Sequence, residues 1–300
     1  MQMIHSVKEM NKTIRQMKSS GKTIGFVPTM GFLHEGHQSL ISQAKEMCDI
    51  VVLSIFVNPT QFGPNEDYLT YPRDIKRDKM IAEEEGVDII FNPDADEMYP
   101  LGESMLVKVN DRVDVLCGRS RPGHFDGVAT ILIKLFNIIM PDKVFFGLKD
   151  AQQVAVVDSI IKNFHYPIQL IPCETKREED GLAKSSRNVR LSADERQEAA
   201  LLNKGLQEGL LLINKGERSV SRIKKCVTLF LETHLRLGKI DYVEVLSYPE
   251  LQSATSITER FIIACAVQYK EARLIDNIVA DLDPDLKGEQ KQYVAHIDEK

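Results

Sequence analysis

Two histidines that stand three residues apart are the residues of this chain best suited to chemistry. His34 and His37 lie in the segment VPTMGFLHEGH, with Gly36 between them. Imidazoles at this spacing, where a loop passes into the first turn of a helix, can both face one anionic ligand. They can equally be a helix-start residue and a surface residue, and the residues alone leave both interpretations open. Zinc is a weaker option, because the zincin pattern places its histidines four residues apart on one helix with a Glu beside the first.

The elements predicted around the histidines favour a phosphate as the ligand. Residues Thr23–Val27 predict a strand that ends at Pro28, which has no N–H for a sheet ladder. Gly31 permits the turn that follows, and helical spacing of apolar residues begins at His37. A strand, a tight loop and a helix in this order present backbone N–H groups and the positive end of the helix dipole to an anion. The sequence contains neither GxGxxG nor GxxxxGK[ST], so the dinucleotide and P-loop fingerprints are absent.

A second loop of the same kind follows the predicted strand 143–146, in the segment GLKDAQQV. Gly147 would let a ligand approach the backbone, and Lys149 would supply a compact positive charge for phosphate. Asp150 is predicted to begin the next helix as its N-cap, a structural role that is compatible with a ligand contact. Gln153 follows in the first turn of that helix.

Other candidate ligand residues lie in three further segments. Asn58 and Gln61 follow the apolar run IVVLSIFV, at the edge of an open α/β sheet where ligands bind. Ser185, Ser186 and Arg187 offer two hydroxyls and a rigid donor fork suited to triphosphate oxygens. The predicted loop CGRSRPGHFDG carries two arginines that are either solvated or directed at an anionic substrate.

Composition limits the partners that the chain can have. The 300 residues are 43% hydrophobic and 27% charged, as in a soluble globular protein with one large or two medium domains. A net charge of −6 disfavours nucleic acid as a partner, so an anionic substrate requires a local group of cations and backbone N–H groups. Five scattered cysteines without a CxxC pair indicate reduced thiols and a cytoplasmic protein. The longest apolar runs fall short of the roughly 20 residues of a membrane helix.

The order of predicted elements changes along the chain. Strands and helices alternate up to about residue 175, which predicts an α/β fold with a Rossmann-like, doubly wound parallel sheet. Helices and then strands follow in blocks, which predicts a smaller C-terminal α+β domain. We therefore expect a first domain over 1–175, a second over 176–282 and a flexible tail over 283–300. The predicted strands are 23–27, 50–57, 87–91, 143–146, 168–172, 241–246 and 260–267.

Six segments, taken together and in this order, resemble one enzyme family. They are VPTMGFLHEGH, SIFVNPTQF, SRPGHFDGV, FGLKDAQQ, DGLAKSSRN and ARLIDN. Their combination closely resembles the pantothenate synthetases, which are pantoate:β-alanine ligases. The resemblance extends from the N-terminus to about residue 282.

The resemblance implies a Rossmann-like domain of the nucleotidylyltransferase superfamily and a smaller C-terminal domain that covers the site. It also implies a cytoplasmic homodimer that uses ATP and Mg²⁺ to condense pantoate with β-alanine. The family forms a pantoyl adenylate and releases pyrophosphate and AMP. Two alternatives remain open: a nucleotidylyltransferase that retains the nucleotide in its product, and a non-catalytic sensor of ATP or an adenylate.

The resemblance also assigns the site residues. His37 matches the family's proton donor, and His34, Lys149 and Arg187 are expected to assist it as catalytic donors. Pantoate is expected between Gln61 and Gln153, with β-alanine near Gln61, and no protein metal site is implied. The residues that match the family's ATP site are Met30, Gly31, His34, Gly36, His37, Gly147, Lys149, Asp150, Lys176, Lys184, Ser185, Ser186 and Arg187. Lys176 and Lys184 stand where many members have apolar residues. Both are expected to contact ATP through their backbone, and the Lys184 ammonium is an additional candidate cation near the phosphates.

Overall fold

The computed structural model describes residues 1–64 and 66–282. The described chain divides into two compact units. The first unit contains 1–147, 156–176 and 184–186, and the second contains 148–155, 177–183 and the chain from 187 onward. The domain boundary expected near residue 175 stays a prediction, and the expected tail over 283–300 lies outside the described residues.

A six-stranded parallel sheet forms the centre of the first unit, within the part of the chain that is described. Its order is β1-β4-β3-β2-β5-β6, which confirms the predicted Rossmann-like α/β class. Because β3 and β4 continue from β2 in one direction and β5 and β6 in the other, the switch point lies between β2 and β5. The strands are β1 Gln2–Ile4, β2 Ile24–Thr29, β3 Ile50–Ile55, β4 Ile89–Phe91, β5 Lys143–Gly147 and β6 Gln169–Cys173.

Helices alternate with these strands as the apolar spacing predicts. Ser6 caps the first of them by accepting the Glu9 N–H, and the buried Met10 and Ile14 form its apolar stripe. The helices are α1 Val7–Ser19, α2 Glu35–Met47, α3 Ile75–Glu84, α4 Ala95–Met98, α5 Leu116–Ser120, α6 His124–Ile139 and α7 Ala151–Asn163. Helix α7 begins in residues of the second unit and ends in residues of the first.

Strand β2 does not end at Pro28, contrary to the prediction. Successive residues of a strand turn their backbone N–H and C=O groups to opposite neighbours. In β2, Gly25, Val27 and Thr29 turn these groups to β3, and Pro28 faces the β5 side. The β5 pairing stops at Phe26, so the missing N–H of Pro28 removes no bond from that ladder.

Two further predictions along the first unit are corrected. The segment 117–127 is not a loop, because α5 and the first turn of α6 occupy most of it. The short edge strand β1 was missed, since its few residues show no distinctive alternation.

The second unit contains three helices followed by an antiparallel sheet of order β7-β8-β9, among the residues that are described. Ser192 and Glu195 form the predicted capping box at its first helix. Strand β8 is buried along almost its whole length, which makes it the centre of this unit's core. The elements are α8 Ala193–Ala199, α9 Leu201–Asn214, α10 Val220–His234, β7 Lys239–Ser247, β8 Phe261–Gln268 and β9 Arg273–Ala280.

Candidate nucleotide site

The loop after β2 carries His34 and His37, and hydrogen bonds hold both imidazoles. His34 is the N-cap of α2, so the helix begins earlier than its apolar spacing indicates. Nδ1 of His34 accepts the backbone N–H of Gly36 at 3.1 Å. Nδ1 of His37 accepts the backbone N–H of His34 at 3.3 Å, and the two ring centroids lie 4.1 Å apart. The structural and ligand-contacting roles are therefore compatible, because only one nitrogen of each ring is used in the cap.

These contacts select the tautomer of each neutral imidazole. A ring nitrogen that accepts a hydrogen bond carries no proton, so the proton of the neutral ring lies on Nε2. Nε2–H is therefore the donor of each ring that the cap does not use, and both residues lie at the N-terminus of α2, where the helix dipole favours an anion. This arrangement suits phosphate oxygens.

Gly36 is required by the close approach of the His34 ring. A Cβ built at this position would lie 2.8 Å from Cε1 and 2.9 Å from Nδ1 of His34. The imidazole could not keep its capping geometry beside an alanine. The His34 ring therefore explains why position 36 is a glycine.

Asp78 of α3 holds the loop that leads to the histidines. Its carboxylate, in a residue only 1% exposed, accepts the N–H of Phe32 at 2.8 Å and of Leu33 at 2.7 Å. Gly31 and Phe32 both have positive φ, so the carboxylate binds a left-handed turn that has a steric cost at Phe32. Burial raises the pKa of Asp78 more strongly than the two N–H donors lower it. Sequence reasoning missed this residue, whose one signal is a carboxylate on the apolar face of α3, four residues before the buried Ala82.

Lys184 is paired within the first unit. Its Nζ lies 2.8 Å from Oε1 of Glu35, in the first turn of α2, and this hydrogen bond holds the pKa of Glu35 below its usual value. The Lys184 N–H also donates to the carbonyl of Lys176 at 2.9 Å. The hydroxyl of Ser186 lies 3.4 Å from that of the buried Tyr71.

Gln61 is fixed through its backbone carbonyl. It ends the short 3₁₀ turn Pro59–Gln61, and its carbonyl accepts Nδ1–H of His124 at 2.7 Å and Nη2–H of Arg121 at 3.3 Å. Nε of Arg121 donates to Oε1 of Glu66 at 2.7 Å, and its Nη2 contacts Oε2 of the same carboxylate. Burial acts to raise the pKa of Glu66, but the hydrogen bond and charge of Arg121 outweigh it and hold this pKa below its usual value.

Helix α6 packs tightly against the Gln61 turn. The fully buried Asn58 donates to the carbonyl of Gly127 at 3.1 Å and accepts the hydroxyl of Tyr99 at 2.6 Å. A Cβ at Gly127 would lie 2.8 Å from the backbone nitrogen of Gln61 and closer still to the carbonyl oxygen of Thr60. Asn58 therefore holds the turn in place, and Gln61 is the residue of this pair that remains a candidate for ligand binding.

The second unit contains the Lys149 turn, the 3₁₀ segment Leu148–Asp150 that precedes α7. The Lys149 side chain is 19% exposed, and its Nζ lies 3.6 Å from Oδ1 of the half-exposed Asp150. The side-chain amide of Asn277 donates to the carbonyls of Leu148 at 3.0 Å and Lys149 at 2.9 Å. Sequence reasoning missed Asn277, which lies in the quoted segment ARLIDN.

The structure distributes the predicted site residues over both units. In the first unit, Glu35 places the Lys184 ammonium at the N-terminus of α2, beside the histidine cap. The first unit holds Met30, Gly31, His34, Gly36, His37, Gln61, Gly147, Lys176, Lys184, Ser185 and Ser186. The second unit holds Lys149, Asp150, Gln153 and Arg187.

The fold of the first unit and its helix N-terminus define an α/β protein of the nucleotide-binding kind. β2 leads directly into the histidine loop, and its neighbour β5 ends at Gly147, so both strand ends lie at the switch point. Among the described residues, no atom lies within 4 Å of a Cβ built at Gly147, which is the open approach that a bound ligand needs. Within the described ranges, every helix is too short or too polar to cross a bilayer.

Comparison with known proteins identifies the family. The family described as pantoate-beta-alanine ligase matches residues 2–279. The pantothenate synthetase of Geobacillus kaustophilus is 57% identical over 286 residues, which cover 94% of this chain and 95% of the relative. That of Bacillus subtilis is 54% identical over 282 residues, which cover 94% and 98%. The chain therefore belongs to the pantoate–β-alanine ligase family.

Solved structures agree with this assignment. The pantothenate synthetase of Thermus thermophilus superposes with a TM-score of 0.87 at 38% identity, covering 93% of this chain and 99% of that one. A pantoate-beta-alanine ligase of Francisella tularensis, complexed with beta-gamma ATP and beta-alanine, gives a TM-score of 0.75 at 32% identity. Its alignment covers 93% of this chain and 97% of that one.

Proposed function

We propose that this chain joins pantoate to β-alanine at the expense of ATP. The observation that carries the proposal is the capped histidine pair at the N-terminus of α2, in which the cap uses Nδ1 of His34 and of His37, in a chain of this ligase family. Membership of this ligase family, over residues 2–279, is what favours an enzyme over a protein that only senses ATP.

The reaction has two steps because a carboxylate does not condense with an amine at neutral pH. In the first step, a carboxylate oxygen of pantoate attacks the α-phosphorus of ATP. The bond from this phosphorus to the bridging oxygen breaks, and pyrophosphate leaves with the electron pair. In the second step, the amine of β-alanine attacks the acyl carbon of pantoyl adenylate, AMP leaves, and the new amide nitrogen loses a proton.

The histidines are proposed to act by electrostatic stabilisation in the first step. The attacking carboxylate is already ionised, so it needs no general base, whereas charge accumulates on the α-phosphoryl group and on pyrophosphate. Nε2–H of His37 and of His34 can donate to these oxygens. In the second step, Nε2–H of His37 can donate a hydrogen bond to the phosphate of AMP, which leaves as an anion. The proton-donor role that the resemblance implies would require the imidazolium form, in which Nδ1 carries a proton and releases the His34 N–H.

Further ATP contacts are proposed for both loops and for the SSR segment. Lys149 and Arg187 neutralise phosphate charge, and the hydroxyls of Ser185 and Ser186 donate to phosphate oxygens. The remaining ATP contacts are through backbone or short side chains, at Met30, Gly31, Gly36, Gly147, Asp150, Lys176 and Lys184. The Lys184 ammonium has a carboxylate partner in Glu35, which supports a backbone role for this residue.

Gln61 and Gln153 are the proposed ligands of pantoate. Amide side chains can donate to and accept from hydroxyl groups without adding charge beside the substrate carboxylate. Gln153 is partly exposed whereas the neighbouring Gln152 is 5% exposed, which favours Gln153 as the ligand. β-Alanine is proposed to bind near Gln61, whose backbone is held by His124 and Arg121.

Mg²⁺ is proposed to enter as part of the ATP substrate. Mg²⁺ in such sites keeps several waters and takes its oxygens from phosphates and one or two carboxylates. Asp150 fits this requirement, because its carboxylate is 51% exposed and lies beside Lys149. The ion would neutralise phosphate charge during adenylation.

The proposal includes a cytoplasmic homodimer. All five cysteines are free thiols, which suits a reducing compartment. Leu101, Met105 and Leu106 expose 62–82% of their surface in one short segment, an apolar feature that a second copy of the chain could cover.

The direct test is formation of pantothenate, identified by mass, when the protein is incubated with MgATP, pantoate and β-alanine. Omission of any one substrate should abolish the product. A nucleotidylyltransferase would instead yield a product that retains the nucleotide, and a sensor would yield neither product.

A further inference from the structure

Asn277 makes an unusual pair of contacts. From β9, one side-chain nitrogen reaches two consecutive carbonyls, those of Leu148 and Lys149, at 3.0 and 2.9 Å. A three-residue 3₁₀ turn has few hydrogen bonds of its own, so two donors from outside determine where its carbonyls point. The direction of the Lys149 side chain follows from this backbone.

A buried ion pair holds Asn277 in turn. The carboxylate of Asp276, 2% exposed, accepts Nη1–H of Arg177 at 2.7 Å and Nη2–H at 2.9 Å. The backbone N–H of Asn277 donates to Oδ1 of the same carboxylate at 2.8 Å. The backbone that carries the amide is therefore held by the Asp276 carboxylate.

We infer that Asn277 is a positioning residue for Lys149, acting through the backbone of the Lys149 turn. This inference rests on the proposed role of Lys149 in neutralising the phosphates of ATP. Lys149 carries a flexible stem of four carbons, so its ammonium reaches a defined point only if its Cα is fixed. The β9 strand thereby fixes the lysine without touching the substrate.

The amide is chemically necessary for this role. Asparagine supplies two N–H donors to the two carbonyls, and an isosteric aspartate would direct a carboxylate at the same oxygens. Asn277→Asp should therefore displace the turn, and Asn277→Ala should release it. Asn214→Asp makes the same chemical change at an exposed position at the end of α9 and serves as the control.

The first measurement is amide hydrogen exchange, which needs no reaction. Peptides spanning 146–154 should exchange faster in Asn277→Asp and Asn277→Ala than in wild type or Asn214→Asp, with peptides of α10 unchanged. Unchanged exchange over 146–154, or faster exchange throughout the second unit, overturns the inference. This result stands whether or not the protein proves to be a ligase.

The second measurement is single-turnover formation of the adenylate. Asn277→Asp should slow this step on the order of 10²-fold, the effect of a small misplacement of a catalytic group. In a Lys149→Ala background the same change should cost less than about twofold, because it acts only through Lys149. Equal losses in both backgrounds would assign Asn277 a general structural role and overturn the inference, whereas a wild-type protein without adenylate formation would refute the proposed function alone.

Discussion

Nδ1 of His37 accepts the backbone N–H of His34 at 3.3 Å, so the cap of α2 and the proposed chemistry use different nitrogens of one imidazole. Because Nδ1 makes this hydrogen bond, it cannot also bind the substrate. It also directs Nε2–H of the neutral ring away from the cap. The proposed phosphate contacts of His37 must therefore be made through Nε2–H.

Substitutions of His37 separate the roles of these two nitrogens. A glutamine at position 37 can place its amide near the position of Nε2, whereas an asparagine can place its amide near that of Nδ1. Loss of a transition-state donor typically costs about 10²- to 10³-fold. We expect His37→Ala and His37→Asn to show losses of this order in single-turnover adenylation, and His37→Gln to lose less.

The comparison between the two amides decides the interpretation. If His37→Asn retained more activity than His37→Gln, the cap at Nδ1 would be the important contact. Equal losses in all three variants would contradict the electrostatic role.

Gly36→Ala tests the close packing of the His34 ring. An alanine favours the helix by about 1 kcal/mol relative to glycine, and loss of the His34 cap costs a similar amount, so thermal stability should change little. The new Cβ would lie 2.8 Å from the imidazole and displace it, so adenylation should fall by about 10-fold or more. Gly63→Ala is the control, because its Cβ would have ordinary contacts of 3.7 Å or more. Full activity of Gly36→Ala would remove the His34 geometry from the mechanism.

Gly127→Ala tests the packing of α6 on the Gln61 turn. Backbone atoms of Thr60 and Gln61 block the added methyl group and cannot rotate away, so the free energy of unfolding should fall by about 1–3 kcal/mol. Denaturant unfolding measures this loss. Because the turn carries Gln61, the KM for pantoate should rise more than the KM for ATP. A uniform rise in both would show that Gln61 does not bind pantoate selectively.

Glu66→Gln tests the ion pair behind Gln61 through its pH dependence. The folded-state pKa of Glu66 is lower than its ordinary value of 4.5, so the carboxylate stabilises the fold above that pH. Wild type should exceed Glu66→Gln in free energy of unfolding by about 1–2 kcal/mol at pH 7. This advantage should persist to about pH 5 and disappear as the pH falls through the folded-state pKa.

The matched control for this prediction is Glu232→Gln, an exposed carboxylate of α10. Its free energy of unfolding should differ little from wild type across the same range. An advantage of Glu66 that grew toward low pH would reverse the sign and refute the pairing with Arg121.

Local chemistry in the sequence indicated the strand, turn and helix around His34, since glycine, proline and apolar spacing act over a few residues. It did not indicate Asp78, because the carboxylate binds the Leu33 N–H from 45 residues away. The same limit applies to Asn277, which is 128 residues from Lys149. Such contacts depend on how packed helices and strands bring distant residues together, and single-sequence patterns carry no record of that packing.

The difference at Pro28 has a related cause. A missing N–H ends a strand only where that N–H would donate to a neighbouring strand. The sequence alone does not show which neighbouring strand each residue faces. The prediction of phosphate-suited loops does not depend on where the strand ends, because it rests on the residue type of Gly31 and on the helix N-terminus.

Pyrophosphate release from MgATP and pantoate, measured with β-alanine omitted and then added, tests the two-step mechanism most directly. Without β-alanine, we expect release to stop at about one pyrophosphate per site, as a retained adenylate requires. Addition of β-alanine should start steady release of AMP, and Lys149→Ala should slow the initial phase by about 10²- to 10³-fold. Absence of pyrophosphate until β-alanine is present would contradict an adenylate formed before the amine reacts.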